Sequence, residues 1–152
     1  MKEVIKILVV EDNNADADLI IRNLRQSEMS FISKIVESKK EFQESLDTFC
    51  PDIVLSDFSL PAFDAVTAFN TLKEKNLKIP FIIVSGTIGE ENAVMLIKQG
   101  VTDYASKNNF SALPQKVKRA LKETAELHEK EELLEKLKLQ TVALLIANKE
   151  LE

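Results

Sequence analysis

Hydrophobic and polar positions follow two alternating periods over roughly the first four-fifths of the chain. Short runs rich in β-branched residues occupy 4–10, 31–37, 52–56, 81–84 and 101–105. Each has the length of a strand, and the runs around Val9 and Ile82 are apolar on both faces, as a buried parallel strand requires. Between them lie residues spaced for one face of a helix: Ala15, Leu19, Ile20 and Leu24; Phe42, Leu46 and Phe49; Val66, Phe69 and Leu72; Ala93, Leu96 and Ile97. Asn13 or Asn14, Ser38 and Ser111 mark expected helix starts, and Gly100 an expected stop. Pro51 and Pro80 stand just before strands and end the helices that precede them. Alternation of strand and helix five times over predicts β-α-β units: an α/β, doubly wound parallel sheet with helices on both faces. Right-handed crossovers leave few strand orders, of which 2-1-3-4-5 is expected. Attention then falls on the carboxyl ends of strands one and three, where that order reverses.

From residue 116 the pattern changes. No glycine or proline follows Pro114, and Glu, Lys, Leu and Ala dominate. Leu137, Leu144 and Leu151 recur at sevens, with Leu127, Leu134, Thr141 and Asn148 at the complementary spacing and Lys130 and Asn148 as polar interruptions. That is a short coiled-coil seam. A helix over 112–152 would extend about 60 Å at 1.5 Å per residue, so it must project beyond a small domain. The division expected is a domain at 1–122 and a helical connector at 123–152. The heptads stop in mid-pattern, which suggests a fragment whose next domain lies downstream.

Composition narrows the function. With 152 residues, 45% of them hydrophobic, the chain can bury one core of ordinary size. Three glycines, Gly86, Gly89 and Gly100, are too few and too scattered for a Walker loop or a dinucleotide turn. A net charge of -5 argues against nucleic-acid binding. The single Cys50 fits a reducing cytoplasm, and no apolar run is long enough for membrane contact.

The chemistry gathers at the strand ends. Strand one runs into Glu11 and Asp12, strand three into Asp57, strand four into Ser85, and strand five into Ser106 and Lys107. Each has a plain reading alone: Asp12 as a cap, Asp57 as a turn residue before Pro61, Ser85 as a loop start, Lys107 as a solvated cation. As a set on one sheet edge they ask for a common purpose. Three neighbouring carboxylates raise one another's pKa unless a cation sits among them, and hard oxygen ligands suit Mg²⁺. A carboxylate beside Mg²⁺ can attack phosphorus, and the ammonium of Lys107 and the hydroxyl of Ser85 can stabilise the phosphoryl oxygens. Mg²⁺-assisted phosphorylation of Asp57 is the expected reaction.

The segments ILVVEDN, PDIVLSDFSLP, FIIVSGT and GVTDYASK resemble, over about residues 4–122, the receiver domains of two-component response regulators and hybrid sensor histidine kinases. The resemblance implies a flavodoxin-like (βα)5 fold. It implies that Asp57 is the phosphoacceptor, that Asp12 and Asp57 ligate Mg²⁺ with the backbone carbonyl of Ser59, and that Glu11 acts mainly through a metal-bound water. Ser85 falls at the switch hydroxyl, Tyr104 at the switch aromatic and Lys107 at the invariant lysine, while Ser59 and Thr87 fall where phosphoryl lifetime is tuned. It further implies a histidine kinase as phosphodonor and relay through the α4–β5–α5 face. The module alone would not be an enzyme beyond its own phosphotransfer and slow autodephosphorylation, although the full protein could be a hybrid histidine kinase. A kinase or sensor domain in the same polypeptide, or a homodimer through the terminal helix or the α4–β5–α5 face, would receive the change. The rival expectation is a non-phosphorylated interaction module whose working part is the coiled coil. An aspartyl-intermediate phosphatase is disfavoured, because Ser59 stands where it needs a second acid.

Some positions depart from the family pattern. Asn108 follows Lys107 where a cis proline is usual; a cis bond to a non-proline costs about 3 kcal/mol, so another loop path is expected. Ala62 and Ala65 replace common glycines, and Gly86 stands where alanine is frequent. Cys50 reads as a small core residue. His128 lacks both the proline of a phosphorylated-histidine helix and a second zinc-ligating histidine, and reads as solvated.

Overall fold

The computed structural model describes residues 4–58, 63–86 and 90–151. Five strands, β1 (Ile5–Val10), β2 (Phe31–Val36), β3 (Ile53–Ser56), β4 (Phe81–Ser85) and β5 (Asp103–Ser106), alternate with α1 (Asn14–Gln26), α2 (Lys39–Thr48), α3 (Ala65–Glu74), α4 (Glu90–Lys98) and α5 (Leu113–Leu151). All neighbouring strands are parallel, and the sheet order is β2-β1-β3-β4-β5. This is the flavodoxin-like sheet with a long C-terminal helix that the alternating periods predict.

The two faces of the sheet divide each strand's side chains between two cores. Leu8, Val10, Val54 and Ile83 face Phe42, Phe69, Leu72 and Leu96 from α2, α3 and α4. Ile7, Val9, Ile53, Leu55, Ile82 and Val84 face Ile20, Leu24, Leu113 and Val117 from α1 and α5. The central strands are therefore apolar at successive positions, whereas edge strand β2 alternates between exposed and covered residues.

Helix starts follow side-chain chemistry. The carboxamide of Asn13 accepts from the Asp16 N–H at 3.0 Å, Ser38 from the Glu41 N–H at 3.2 Å, and Asp64 from the Thr67 N–H at 2.8 Å. Ser111 does not start α5. It lies in a 3-10 turn, Phe110–Ala112, capped by Asn109, whose side chain accepts from the Ser111 N–H at 3.3 Å; α5 follows with Pro114 in its first turn.

Helix stops hold a second correction. Gly100 ends α4 at φ +114, where a Cβ would meet Phe69 Cζ at 3.2 Å. Yet α1, α2 and α3 also end in left-handed residues without glycine: Glu28 (φ 63), Cys50 (φ 51) and Asn76 (φ 56). Cys50 is accordingly an exposed helix terminator rather than a core residue. Its main-chain N–H donates to the Ser45 carbonyl at 3.1 Å, closing the end of α2.

Leu113, Val117 and Ala120 pack α5 on the sheet. The whole helix has 39 residues, about 58 Å at 1.5 Å per residue, and most of it runs out beyond them. Lys78, between α3 and β4, meets Glu131 at 2.9 Å, and from Glu132 to Glu150 the side chains are exposed. His128 is solvated as expected, 3.9 Å from Glu131.

Candidate functional site

The sheet ladder fixes the site from below. The N–H of Glu11 donates to Val36 O at 3.1 Å, that of Asp57 to Val10 O at 2.9 Å, and that of Lys107 to Ser85 O at 3.1 Å. Each polar residue thus sits one step past its strand, held in register by the neighbouring strand. Glu11, Asp12 and Asp57 each offer a carboxylate oxygen within 4.8 Å of the others. Glu11 is 1% exposed, Asp12 open to solvent and Asp57 half-buried. Ser85 is buried beside them at the end of β4. The Lys107 ammonium lies 2.7 Å from Glu11 Oε2, 2.7 Å from Asp16 Oδ2 and 3.5 Å from Asp57 Oδ2.

Burial pushes the Glu11 carboxyl above the usual carboxylate range, and the charge of Asp57 pushes it further; Lys107 and the Asn13 N–H, 3.2 Å from Oε1, pull against them. Burial also disfavours the charge on Lys107. Asp16 and Glu11, then Asp57, outweigh it and hold the ammonium protonated well above the ordinary lysine range.

Four carboxylates therefore answer one ammonium. The negative excess, with three hard oxygen donors converging from two strands, fits a small divalent cation such as Mg²⁺. Ser59 and Thr87, expected as a carbonyl ligand and as lifetime-tuning residues, lie outside the described residues, as does Ala62.

Tyr104 turns inward. Its hydroxyl donates to the Ser85 carbonyl at 3.1 Å and its ring packs on the α2–α3–α4 core. The Lys107–Asn108 bond is trans, and the loop instead closes on Ser106, whose Oγ accepts from the Asn108 N–H at 3.1 Å and whose carbonyl accepts from the Asn109 N–H at 3.2 Å. Gly86 has room for a methyl group, which would meet Lys107 Cβ at an ordinary 3.7 Å.

Sequence reasoning passed over two groups. Asp16, in the first turn of α1, shares the lysine; no local pattern points to a cation 91 residues away. Asp103 on β5 receives Arg119 at 2.6 Å and Lys116 at 3.4 Å from α5, and Lys116 also donates to the Tyr104 carbonyl. These contacts tie the strand of Tyr104 to the terminal helix.

The family described as "Response regulator receiver domain" matches residues 7–118. The transcriptional regulatory protein YxdJ of Bacillus subtilis is 32% identical over 105 residues, covering 67% of this chain and 43% of that protein. The alkaline phosphatase synthesis transcriptional regulatory protein PhoP of the same organism is 28% identical over 102 residues, covering 67% and 42%. The chain thus spans less than half the length of these relatives. The signal receiver domain of a signal transduction histidine kinase from Syntrophus aciditrophicus superposes with a TM-score of 0.66 at 26% identity, covering 78% of this chain and 90% of that one. A receiver domain protein from Clostridium thermocellum reaches 0.71 at 21% identity, covering 81% and 98%. Among the described residues no helix is long and apolar enough to cross a membrane.

Proposed function

The chain belongs to the response regulator receiver domains of two-component signalling, and from that premise we propose that it takes a phosphoryl group from a histidine kinase onto Asp57. The observation that carries the reading is the seating of Asp57 at the end of β3, with oxygens of Glu11 and Asp12 within 4.8 Å and the Lys107 ammonium at 3.5 Å. Asp12 and Asp57, with the Ser59 carbonyl and with Glu11 through water, would hold Mg²⁺, which would supply positive charge to the phosphoryl oxygens. An oxygen of Asp57 attacks phosphorus and the donor's imidazole nitrogen leaves with its electron pair. Lys107 then pairs with one phosphoryl oxygen, the Ser85 hydroxyl donates to another, and Ser59 and Thr87 govern how water reaches the acyl phosphate. The module's own chemistry ends there.

Relay follows from the contacts around Tyr104. A shift of Ser85 toward the phosphoryl group moves the carbonyl that receives the Tyr104 hydroxyl, and Asp103 carries the change to Arg119 and Lys116 on α5. Residues 1–122 form the receiver, and 123–152 connect it to a kinase or sensor domain or to a second copy.

Mass spectrometry after treatment with acetyl phosphate and Mg²⁺ tests the reading. A phosphoryl adduct on the wild type and none on Asp57→Asn is expected. No adduct on the wild type, together with no Mg²⁺ binding in the millimolar range, would point instead to a non-phosphorylated interaction module, which the exposed leucines of α5 would serve.

A further inference from the structure

Lys107 is closer to a residue outside the expected reaction than to the phosphoacceptor. Its ammonium stands 2.7 Å from Asp16 Oδ2 and 3.5 Å from Asp57 Oδ2. Asp16 is not in the carboxylate trio that converges for a cation. Its backbone is fixed, since its N–H donates to the Asn13 cap at 3.0 Å, while its side chain keeps about a third of its exposure. The lysine backbone is tied by the ladder bond to Ser85, and its long aliphatic stem lets the ammonium move between acceptors. An ammonium has three donors. Two point to Glu11 and Asp16 on the α1 side, and engaging a phosphoryl oxygen on Asp57 draws the group away from that side.

We propose that Asp16 is a positioning residue: it seats the Lys107 ammonium at rest and competes with the phosphoryl oxygens for it, thereby restraining phosphorylation of Asp57. The inference rests on the phosphoacceptor reading for its consequence, but the seat itself is a property of the chain before any phosphoryl group arrives. A charge-assisted hydrogen bond at a partly exposed site sets the scale of the effect at roughly three- to tenfold in rate.

Two measurements on the full chain test it. The first follows adduct formation with acetyl phosphate and Mg²⁺ in the wild type, Asp16→Asn, Lys107→Ala and the double variant. Asp16→Asn is expected to react about three- to tenfold faster, Asp16→Glu to return toward the wild-type rate, and the gain to vanish in the Lys107→Ala background. The same gain in both backgrounds would assign the effect to bulk charge and overturn the proposal, as would no gain at all. The second reads the lysine itself, by hydrogen exchange of the Lys107 ammonium in ¹⁵N-lysine NMR without phosphodonor. Exchange several-fold faster in Asp16→Asn supports the seat, and unchanged exchange removes it. A wild type that takes no phosphoryl group sinks the phosphoacceptor reading alone, because ammonium exchange still decides whether Asp16 holds the lysine.

Discussion

The carboxyl edge of the sheet and the outer half of α5 are both incomplete, in opposite senses. At the sheet edge, Glu11, Asp12, Asp16 and Asp57 crowd like charges that one ammonium only partly relieves. Along α5, Leu137 and Leu144 keep 58% and 64% of their surface exposed. The first region is anchored, because ladder hydrogen bonds hold the backbones of Glu11, Asp57 and Lys107, and the Asn13 cap that of Asp16, whatever the charges prefer. Among the described residues the second is held by its own backbone and by the Lys78–Glu131 contact. Stress in the site is thus imposed by the fold and is of the kind a cation relieves. The stripe on the helix is answered by whatever packs on it.

The sharpest way to break this contrast is to cut apolar contacts in the sheet that carries the site and along α5. Phe81→Ala, which empties a fully buried site beside Phe69, should cost about 3–5 kcal/mol in urea denaturation. Leu144→Ala should change monomer stability by no more than about 0.5 kcal/mol. A comparable loss at Leu144 would mean that the helix is already covered in solution.

Next in size is the response to Mg²⁺. At about ten times its dissociation constant the ion should stabilise the wild type by about 1.4 kcal/mol. Asp57→Asn should be more stable than the wild type without metal and should respond little to Mg²⁺, as read by thermal denaturation. An Mg²⁺ response equal to the wild type's would move the cation elsewhere.

A third test uses pH. The Glu11 carboxyl is raised above its unfolded value of 4.5, so the folded chain binds the proton more tightly. This group's contribution to stability therefore falls as pH climbs from 4.5 through the folded value. In metal-free buffer Glu11→Gln should lack that decline; an identical slope in both proteins would show that Glu11 is not strained.

The smallest effect concerns the helix ends. Cys50→Gly relieves a left-handed residue at φ 51 and should add about 0.5–1 kcal/mol, measured by urea midpoint. No gain would mean that glycine's unfolded-state entropy cancels the relief.

How much was legible differs by residue. The strands could be read because both faces of Val9 and Ile82 are apolar, and Asn13 and Ser38 because a capping side chain acts within three residues of itself. Ser111 misled because Asn109, two residues earlier, offers a competing cap. Cys50 misled because a small apolar side chain suggests burial, while its backbone is spent ending α2. Of the expected site residues, Glu11, Asp12, Asp57, Ser85 and Lys107 do meet at one edge, since a parallel sheet sends every strand end the same way.

The sequence by itself determined the sheet, its direction and the chemistry delivered to its edge, because period, capping and strand termini are local properties of the chain. Only the tertiary structure decided who shares Lys107 and which way Tyr104 points. Those depend on contacts of 2.7 and 3.1 Å between residues up to 91 positions apart, set by packing α1 and β5 against the same sheet.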